Sequence, residues 1–206
     1  MVKLRGQLLV HRDRLGQSSL LAALRQGSHA AFDVVQLRPS LFRLAAAALY
    51  RLDGGEQAFV PAGRVLRGGL HQAFAEYQSL YTAEAFAITT PTPAEIEQRW
   101  NEGPIWSVIK DGRLVGTVAA VAKGDALYIR SMAVVPSARG QGIGKILLVA
   151  VENFARAGGF QRMLLSTTPF LDDAIRLYQR FGFERIREGP HDLAGTPLFT
   201  MEKAVR

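Results

Sequence analysis

Three glycines and two cations share one seven-residue segment of this chain. Glycines spaced two apart let the backbone turn tightly and leave its N–H groups uncovered, so that several of them can point at one anion. An arginine and a lysine at the two ends add full positive charges at the edges of such a site. The spacing therefore predicts a site for a pyrophosphate group, formed by Arg139, Gly140, Gln141, Gly142, Ile143, Gly144 and Lys145.

The segments on either side of these glycines support that interpretation. Residues 126–135 have a mostly apolar composition typical of a buried strand, and Pro136 has no N–H with which to continue it. After the glycines, apolar residues recur at helical spacing until Gly158 and Gly159, which predict the end of a helix. A strand, a glycine loop and a helix N-terminus thus follow one another in the order that an anion site requires.

Two common glycine motifs do not fit this spacing. The dinucleotide-binding fingerprint has its third glycine three residues after the second, whereas Gly144 follows Gly142 by two. The phosphate loop of nucleotide hydrolases needs glycine at position 139 and serine or threonine at position 146, where this chain has Arg139 and Ile146. We therefore exclude both classes.

A second motif lies further along the chain, where residues 174–183 read Ala-Ile-Arg-Leu-Tyr-Gln-Arg-Phe-Gly-Phe. Together with Arg139-x-x-Gly142-x-Gly144, and with a strand-like segment at 162–167 between the two, it resembles the GCN5-related N-acetyltransferase (GNAT) family. The resemblance covers about residues 68–203. It implies that the first motif holds the pyrophosphate of acetyl-coenzyme A (acetyl-CoA) and that the second packs against the pantetheine arm.

The resemblance also implies roles for four other residues. The backbone at Met132, Ala133 and Val134 would pair with the pantetheine amides and stabilise negative charge on the thioester oxygen. Tyr178 occupies the position from which family members donate a proton to the departing thiolate. Because its helical face is apolar, Tyr178 also fits a purely structural role in the core.

The proton acceptor is not identified by the sequence. Many members of the family carry a glutamate in the strand before the glycine loop, where this chain has Ser131, which is no base by itself. Glu76, Glu84 and His191 are the alternatives, and each also fits an ordinary surface position. The general base therefore stays open.

The acceptor substrate is expected between two segments, at about residues 77–90 and 189–197. Five residues are candidates for contacts with it, although Arg130 also fits a solvated or ion-paired strand position. They are Tyr77, Tyr81, Glu84, Arg130 and His191. A small amine, an amino-acid-like acceptor and a peptide N-terminus all remain open.

The predicted fold class is α/β (α+β), with a mixed, largely antiparallel central sheet flanked by helices. Residues 66–77 have one apolar helical face, and Thr92-Pro93-Ala94-Glu95 is a capping box that begins a short helix to about Trp100. A hairpin closed near Asp111 and Gly112 follows.

The first and last thirds of the chain complete this expectation. Residues 32–37 predict the first strand and residues 198–201 the last, while residues 19–26 and 41–51 have helical composition. We expect residues 1–30 to be an N-terminal extension and residues 31–206 to be the acetyltransferase-like domain.

The amino-acid composition excludes several kinds of chemistry. The 206 residues include no cysteine, which excludes disulfides and a cysteine nucleophile, and the four histidines show no metal-ligand spacing. The longest apolar run, residues 44–50, is far below the roughly 18 residues that a membrane span needs. We therefore expect a cytoplasmic protein without a metal or a membrane partner.

These observations favour an N-acetyltransferase that moves an acetyl group from acetyl-CoA to a primary amine by direct attack in a ternary complex. Transfer of longer acyl groups and a homodimer stay open. A coenzyme A-sensing module without turnover is the alternative that the missing glutamate favours. A nucleic-acid binder is a weaker alternative, because it depends only on the net charge of +7.

Overall fold

The computed structural model describes residues 33–37 and 62–205. The predicted extension at 1–30 and the helical segments at 19–26 and 41–51 lie outside the described residues. Within the described residues, no helix is both long enough and apolar enough to cross a membrane.

The strands are β1 (Asp33–Leu37), β2 (Ile105–Lys110), β3 (Arg113–Lys123), β4 (Ala126–Val134), β5 (Arg162–Thr167), β6 (Glu184–Ile186), β7 (Asp192–Leu193), β8 (Thr196–Pro197) and β9 (Phe199–Ala204). The α-helices are α1 (Ala62–Phe74), α2 (Ala83–Thr89), α3 (Pro93–Arg99), α4 (Ile143–Ala157) and α5 (Asp172–Phe181). Short 3₁₀ helices span Ala75–Leu80 and Pro136–Ala138.

Seven strands form one sheet in the order β1-β2-β3-β4-β5-β9-β6. Only β4 and β5 pair in parallel, and the other neighbours are antiparallel. Strands β7 and β8 form a separate hairpin. The predicted α+β class with a largely antiparallel sheet is confirmed, and so is the first strand, predicted at 32–37.

Local signals in the sequence account for several element boundaries. The capping box before α3 is formed, because the Thr92 hydroxyl accepts from the N–H of Glu95 while the Glu95 carboxylate accepts from the N–H of Thr92. The β2–β3 hairpin turns at Asp111 and Gly112, with φ of 50° and 72°. Two left-handed residues in succession match the twist of the flanking strands.

Helices cover both faces of the sheet and divide the core in two. Helices α4 and α5 cover one face over a buried cluster that includes Trp106, Val118, Leu127, Leu147, Val151, Met163 and Met201. Helices α1 and α3 cover the other face over Leu66, Leu70, Ile96, Ile105 and Ala119. Burial of one such side chain contributes about 1.5–3 kcal/mol.

Strand β4 contains a β-bulge between Arg130 and Ala133. Ala119 of β3 pairs with Arg130 and Thr117 pairs with Ala133, so β4 carries one extra residue over this step. Ser131 lies within the bulge and has a φ of 51°. The extra residue shifts the alternation of side chains, so that Ala133 packs with the α1 cluster and Met132 with the α4 cluster.

The parallel pairing of β4 and β5 ends at the same place. It runs from Ala126 opposite Arg162 to Ile129 opposite Leu165 and then stops, while β5 continues to pair with β9 as far as Thr167. Beyond Ile129, one edge of β4 has no strand partner in the described part of the chain. The two strands therefore open into a cleft, which we call the strand opening, between residues 130–134 and the end of β5.

Two glycines of helix α1 make a matched test of its packing on α3. A Cβ on Gly63 would lie 2.7 Å from the Pro93 carbonyl oxygen, whereas a Cβ on Gly68 would meet nothing within 4 Å. We expect Gly68→Ala to raise the free energy of unfolding by about 0.5–1 kcal/mol, because alanine is the better helix former. Gly63→Ala should lower it by about 1–3 kcal/mol through overpacking. Urea unfolding of both variants checks this, and equal stabilisation by both would contradict the close α1–α3 contact.

Candidate active site

The glycine loop between β4 and α4 adopts the conformation that its sequence predicts. Gly140 and Gly142 have φ of 74° and 79°, and a Cβ on either would meet nothing within 4 Å. Gly142 is the N-cap of α4, and no side chain caps the helix there. The first N–H groups of α4 therefore have no intrahelical acceptor, and the positive end of the helix dipole faces the loop. The loop can hold an anion such as a pyrophosphate.

Gly144 has a different role from the other two glycines. It lies within the first turn of α4, and a Cβ there would be 2.6 Å from Cδ2 of Leu177 and 3.5 Å from Cε of Met132. A side chain at 144 would force the end of the Leu177 side chain to move. A second glycine, Gly116 of β3, makes room in the same way, since its Cβ would lie 2.7 Å from Cγ2 of Ile143. These two positions let α4 begin directly over the sheet.

The cations at the ends of the loop differ in their surroundings. The Arg139 guanidinium forms an ion pair with Glu76 and donates from Nη2 to the Ala73 carbonyl at 2.8 Å. It also lies over the ring of Tyr77, 5.8 Å from the centroid. Arg139 therefore attaches the end of α1 to the loop, while Lys145 is exposed on the first turn of α4.

Gln141 connects the loop to the β2–β3 hairpin. Its Oε1 accepts from Nζ of Lys110 at 2.8 Å, and its Nε2 donates to the Ser137 carbonyl at 3.2 Å. The Gln141 side chain is thus held by contacts on both sides of the loop. Gly140, Gln141 and Gly142 are all exposed to solvent.

Tyr178 lies on the buried face of α5, and its ring meets Phe183 edge to face at a centroid distance of 6.0 Å. Burial raises the pKa of Tyr178 well above the usual value for tyrosine, and the nearby phenol of Tyr81 raises it further. The core position weighed in the sequence analysis is therefore real. It does not exclude chemistry, because the phenol of Tyr81 is close enough to affect the ionisation of Tyr178.

Tyr77 and Tyr81 come together at the other side of the strand opening, around Phe170. The Tyr81 and Phe170 rings meet at 4.9 Å, edge to face, and Tyr77 stacks on Phe170 at 6.4 Å. Burial raises the pKa of Tyr81, and the neighbouring hydroxyl of Thr168 partly offsets that rise without reaching hydrogen-bonding geometry. The Thr168 hydroxyl is buried and has no partner among the described residues.

Two of the predicted substrate residues are not brought into this group. Glu84 is exposed in the first turn of α2, and His191 is exposed just before β7. The β7–β8 hairpin is fastened to the start of α2, because the Thr82 N–H donates to Thr196 Oγ1 at 3.0 Å and the Thr82 hydroxyl donates to the Ala194 carbonyl at 2.7 Å.

Arg130 lies on the α1 and α3 side of the sheet and lines a pocket there. The pocket is open to solvent. Arg99, Thr117 and Ser131 also line it, and none of the three was a site candidate from the sequence. No local motif marks Arg99 or Thr117, so only the fold could reveal them. Ser131, in contrast, had a signal in its place between a strand and the glycine loop.

Within residues 33–37 and 62–205, no group of three His, Asp or Glu side chains is placed to hold a metal ion. Three features of the described residues are the candidates for binding a ligand or for chemistry. These are the uncapped glycine loop, the strand opening with its two tyrosines, and the arginine-lined pocket.

The chain belongs to the Acetyltransferase (GNAT) family, whose sequence pattern matches residues 71–183. It is thus an enzyme of the acetyl-CoA-dependent N-acyltransferase class, and the predicted family resemblance is confirmed.

Three similar proteins illustrate this membership. An uncharacterized N-acetyltransferase, YjgM, of Escherichia coli (strain K12) is 32% identical over 123 residues, which are 57% of this chain and 73% of that protein. An N-acetylaspartate synthetase of Danio rerio is 35% identical over 85 residues, 40% of this chain and 30% of that protein. The chain thus spans less than a third of that second relative.

The third is a solved structure, the PaiA N-acetyltransferase of Thermoplasma acidophilum in complex with coenzyme A. It superposes with a TM-score of 0.57 at 15% identity, over 84% of this chain and 98% of that chain. At this identity the likeness shows the shared fold.

The raised pKa of Tyr178 predicts a dependence of stability on alkaline pH. Above pH 10, the unfolded chain loses the phenolic proton while the folded protein keeps it, so the free energy of unfolding falls as pH rises. The slope from one such group is at most about 1.4 kcal/mol per pH unit. We expect Tyr178→Phe to make the fall less steep, measured by urea unfolding at pH 8, 10 and 11. An unchanged slope would contradict a buried, protonated Tyr178.

Proposed function

We propose that this protein transfers an acetyl group from acetyl-CoA to a primary amine by direct attack in a ternary complex. The observation that carries the proposal is the adjacency of two features on one strand. The uncapped N-terminus of α4 follows the free edge of β4 after the 3₁₀ helix Pro136–Ala138 and the glycine loop, so an anion site and an open row of backbone groups lie within one short segment of the chain.

The residues present fit acetyl-CoA on structural grounds. Gly140 and Gly142 leave open space where side chains would stand, and the start of α4 has no cap, so the pyrophosphate would lie against the N–H groups of residues 143–145. Lys145 is exposed beside them. The cofactor supplies the acetyl group as a thioester. At the strand opening, the backbone of Met132, Ala133 and Val134 is available to hold its amides.

The chain contributes electrostatics and positioning to the transfer. The C–N bond forms as the C–S bond breaks, the amine gives up a proton, and the sulfur leaves as a thiolate that gains one. Free N–H groups at the edge of β4 can stabilise negative charge on a carbonyl oxygen placed there. This is the interaction that we expect to lower the barrier most.

Tyr178 acts, in this proposal, as a hydrogen-bond donor to the leaving sulfur. A thiol has a pKa near 8.5, well below that of a buried tyrosine, so full transfer of the phenolic proton to the thiolate is unfavourable. A hydrogen bond from a phenol that stays protonated has no such cost. The raised pKa of Tyr178 therefore suits it to stabilise the thiolate until water supplies the proton.

Among the described residues, none of the predicted bases stands as a free acceptor for the amine proton at the strand opening, and the Glu102 carboxylate beside it is ion-paired with Arg130. Ser131 stands on β4, Glu76 is held by Arg139, and Glu84 and His191 are exposed elsewhere. At pH 7, about one primary amine in a thousand is already the free base. We therefore propose that the proton leaves through water at the mouth of the cleft.

Gly142 and Gly124 provide a matched test of the cofactor site. Both have a positive φ, 79° and 60°, and open space around the Cβ position, but Gly124 lies in the β3–β4 turn away from α4. Alanine at either position should cost about 1–2 kcal/mol of stability. Only Gly142→Ala should weaken acetyl-CoA binding, by about tenfold or more, since it alone alters the loop. Calorimetric titration with acetyl-CoA measures this, and equal affinities in the two variants would count against the loop as the pyrophosphate site.

Tyr178→Phe tests whether the Tyr178 hydroxyl contributes to the rate of acetyl transfer from the bound thioester. We expect kcat for thiol release with a primary amine to fall about a hundredfold, while the Kd for acetyl-CoA stays unchanged. Tyr128→Phe is the control. Tyr128 lies on β4, and Nζ of Lys123 lies over its ring, 4.0 Å from the ring centroid. Equal kcat values in both variants would remove Tyr178 from the mechanism. Tight binding of acetyl-CoA without thiol release for any amine would favour the coenzyme A-sensing module instead.

A further inference from the structure

The pocket beside Arg130 has a distinct chemical character. Its walls are largely apolar and come from α1, α3 and the sheet, with Leu66, Leu70, Ile96 and Ile105 among them. Its lining also contains two arginines, Arg99 and Arg130, and no carboxylate. A pocket of this kind fits a ligand that has an apolar body and one anionic end.

Arg130 has donor capacity that the described residues do not use. Its Nη1 forms an ion pair with Glu102 at 2.6 Å, and its side chain is 24% exposed. Its Nε is buried and has no hydrogen-bond partner among the described residues. Glu102 therefore occupies one side of the guanidinium and leaves the edge formed by Nε and Nη2. That edge is a planar fork that matches the two oxygens of a carboxylate.

The position of Arg130 places such a carboxylate next to the proposed transfer site. Arg130 precedes the bulge, and Met132, which packs on the α4 side, follows it. The left-handed Ser131 between them lines the same pocket. A ligand held by Arg130 therefore lies at the base of the strand opening, two residues before the backbone that we assign to the thioester.

We infer that this pocket binds the amine acceptor and that Arg130 recognises a free carboxylate on it. The acceptor class is then an amino acid with an apolar side chain, whose carboxylate is held by Nε and Nη2 of Arg130 while its amine faces the strand opening. This inference rests on the proposed function. A peptide N-terminus lacks a carboxylate at that distance from its amine, so the same contact disfavours a peptide acceptor.

The test compares three acceptors that share one apolar body. They are L-leucine, L-leucinamide, which lacks the carboxylate charge, and isoamylamine, which lacks the carboxyl group altogether. We expect kcat/KM for leucine to exceed that for each of the other two by at least about tenfold, because a site built to bond a group rejects analogues that lack it. Leucinamide or isoamylamine as the better acceptor would overturn the inference while leaving the proposed function intact.

Variants of Arg130 test whether its guanidinium is the group that recognises the carboxylate of leucine. Arg130→Gln should raise KM for leucine by about tenfold or more and leave KM for isoamylamine nearly unchanged, since only leucine has a carboxylate to lose. Arg130→Lys keeps the charge without the fork and should recover only part of the affinity. Arg185→Gln is the control for a lost positive charge, because Arg185 lies on β6 over the ring of Phe199. Equal changes for both acceptors in Arg130→Gln would overturn the specific contact.

Two binding measurements distinguish a failure of this inference from a failure of the proposed function. Calorimetry with L-leucine should show binding to the wild-type protein that weakens in Arg130→Gln and persists in Arg185→Gln. The Kd for acetyl-CoA should be the same in all three proteins. Loss of acetyl-CoA binding in the wild-type protein would defeat the proposed function, whereas absence of leucine binding beside normal acetyl-CoA binding would defeat only the inference.

Discussion

The end of the β4–β5 pairing at Ile129 is the constraint on which the rest of the site depends. A strand inside a sheet normally satisfies its N–H and C=O groups on both sides. Here β5 continues toward β9 while β4 turns away, so one edge of residues 130–134 is left open in the middle of the domain. The bulge at Ser131 makes this possible, because an extra residue bends the strand and redirects its side chains.

The strand opening can form part of a binding site because the N-terminus of α4 follows it within a few residues of the chain. Two glycines fix the height of that helix over the sheet: Gly116 beneath Ile143, and Gly144 beside Leu177. Gly142 then lets the chain enter the helix in a left-handed conformation with no capping side chain. Close packing and an uncapped helix end thus come from the same short segment, which explains why its glycines are not interchangeable.

Arg139 and Tyr178 each combine a structural role with a chemical one. Arg139 attaches the end of α1 to the glycine loop through Glu76 and Ala73, so the charge predicted for the anion site also holds the end of α1 in place. Tyr178 is a core residue whose burial keeps its proton in place. In both cases the fold sets the chemistry that the side chain can perform.

The sequence by itself determined the parts of this protein that depend on local interactions. The glycine loop, the capping box at Thr92 and the Asp111–Gly112 turn follow from residues close together in the chain, whereas α2, β6 and the β7–β8 hairpin were not predicted. The pocket and the ion pairs were decided only by the tertiary structure. Arg139 meets Glu76 across 63 positions, and Arg99 and Arg130 share a pocket although no spacing rule connects them. Such contacts depend on how the layers pack and where β4 bulges, and no local pattern encodes either.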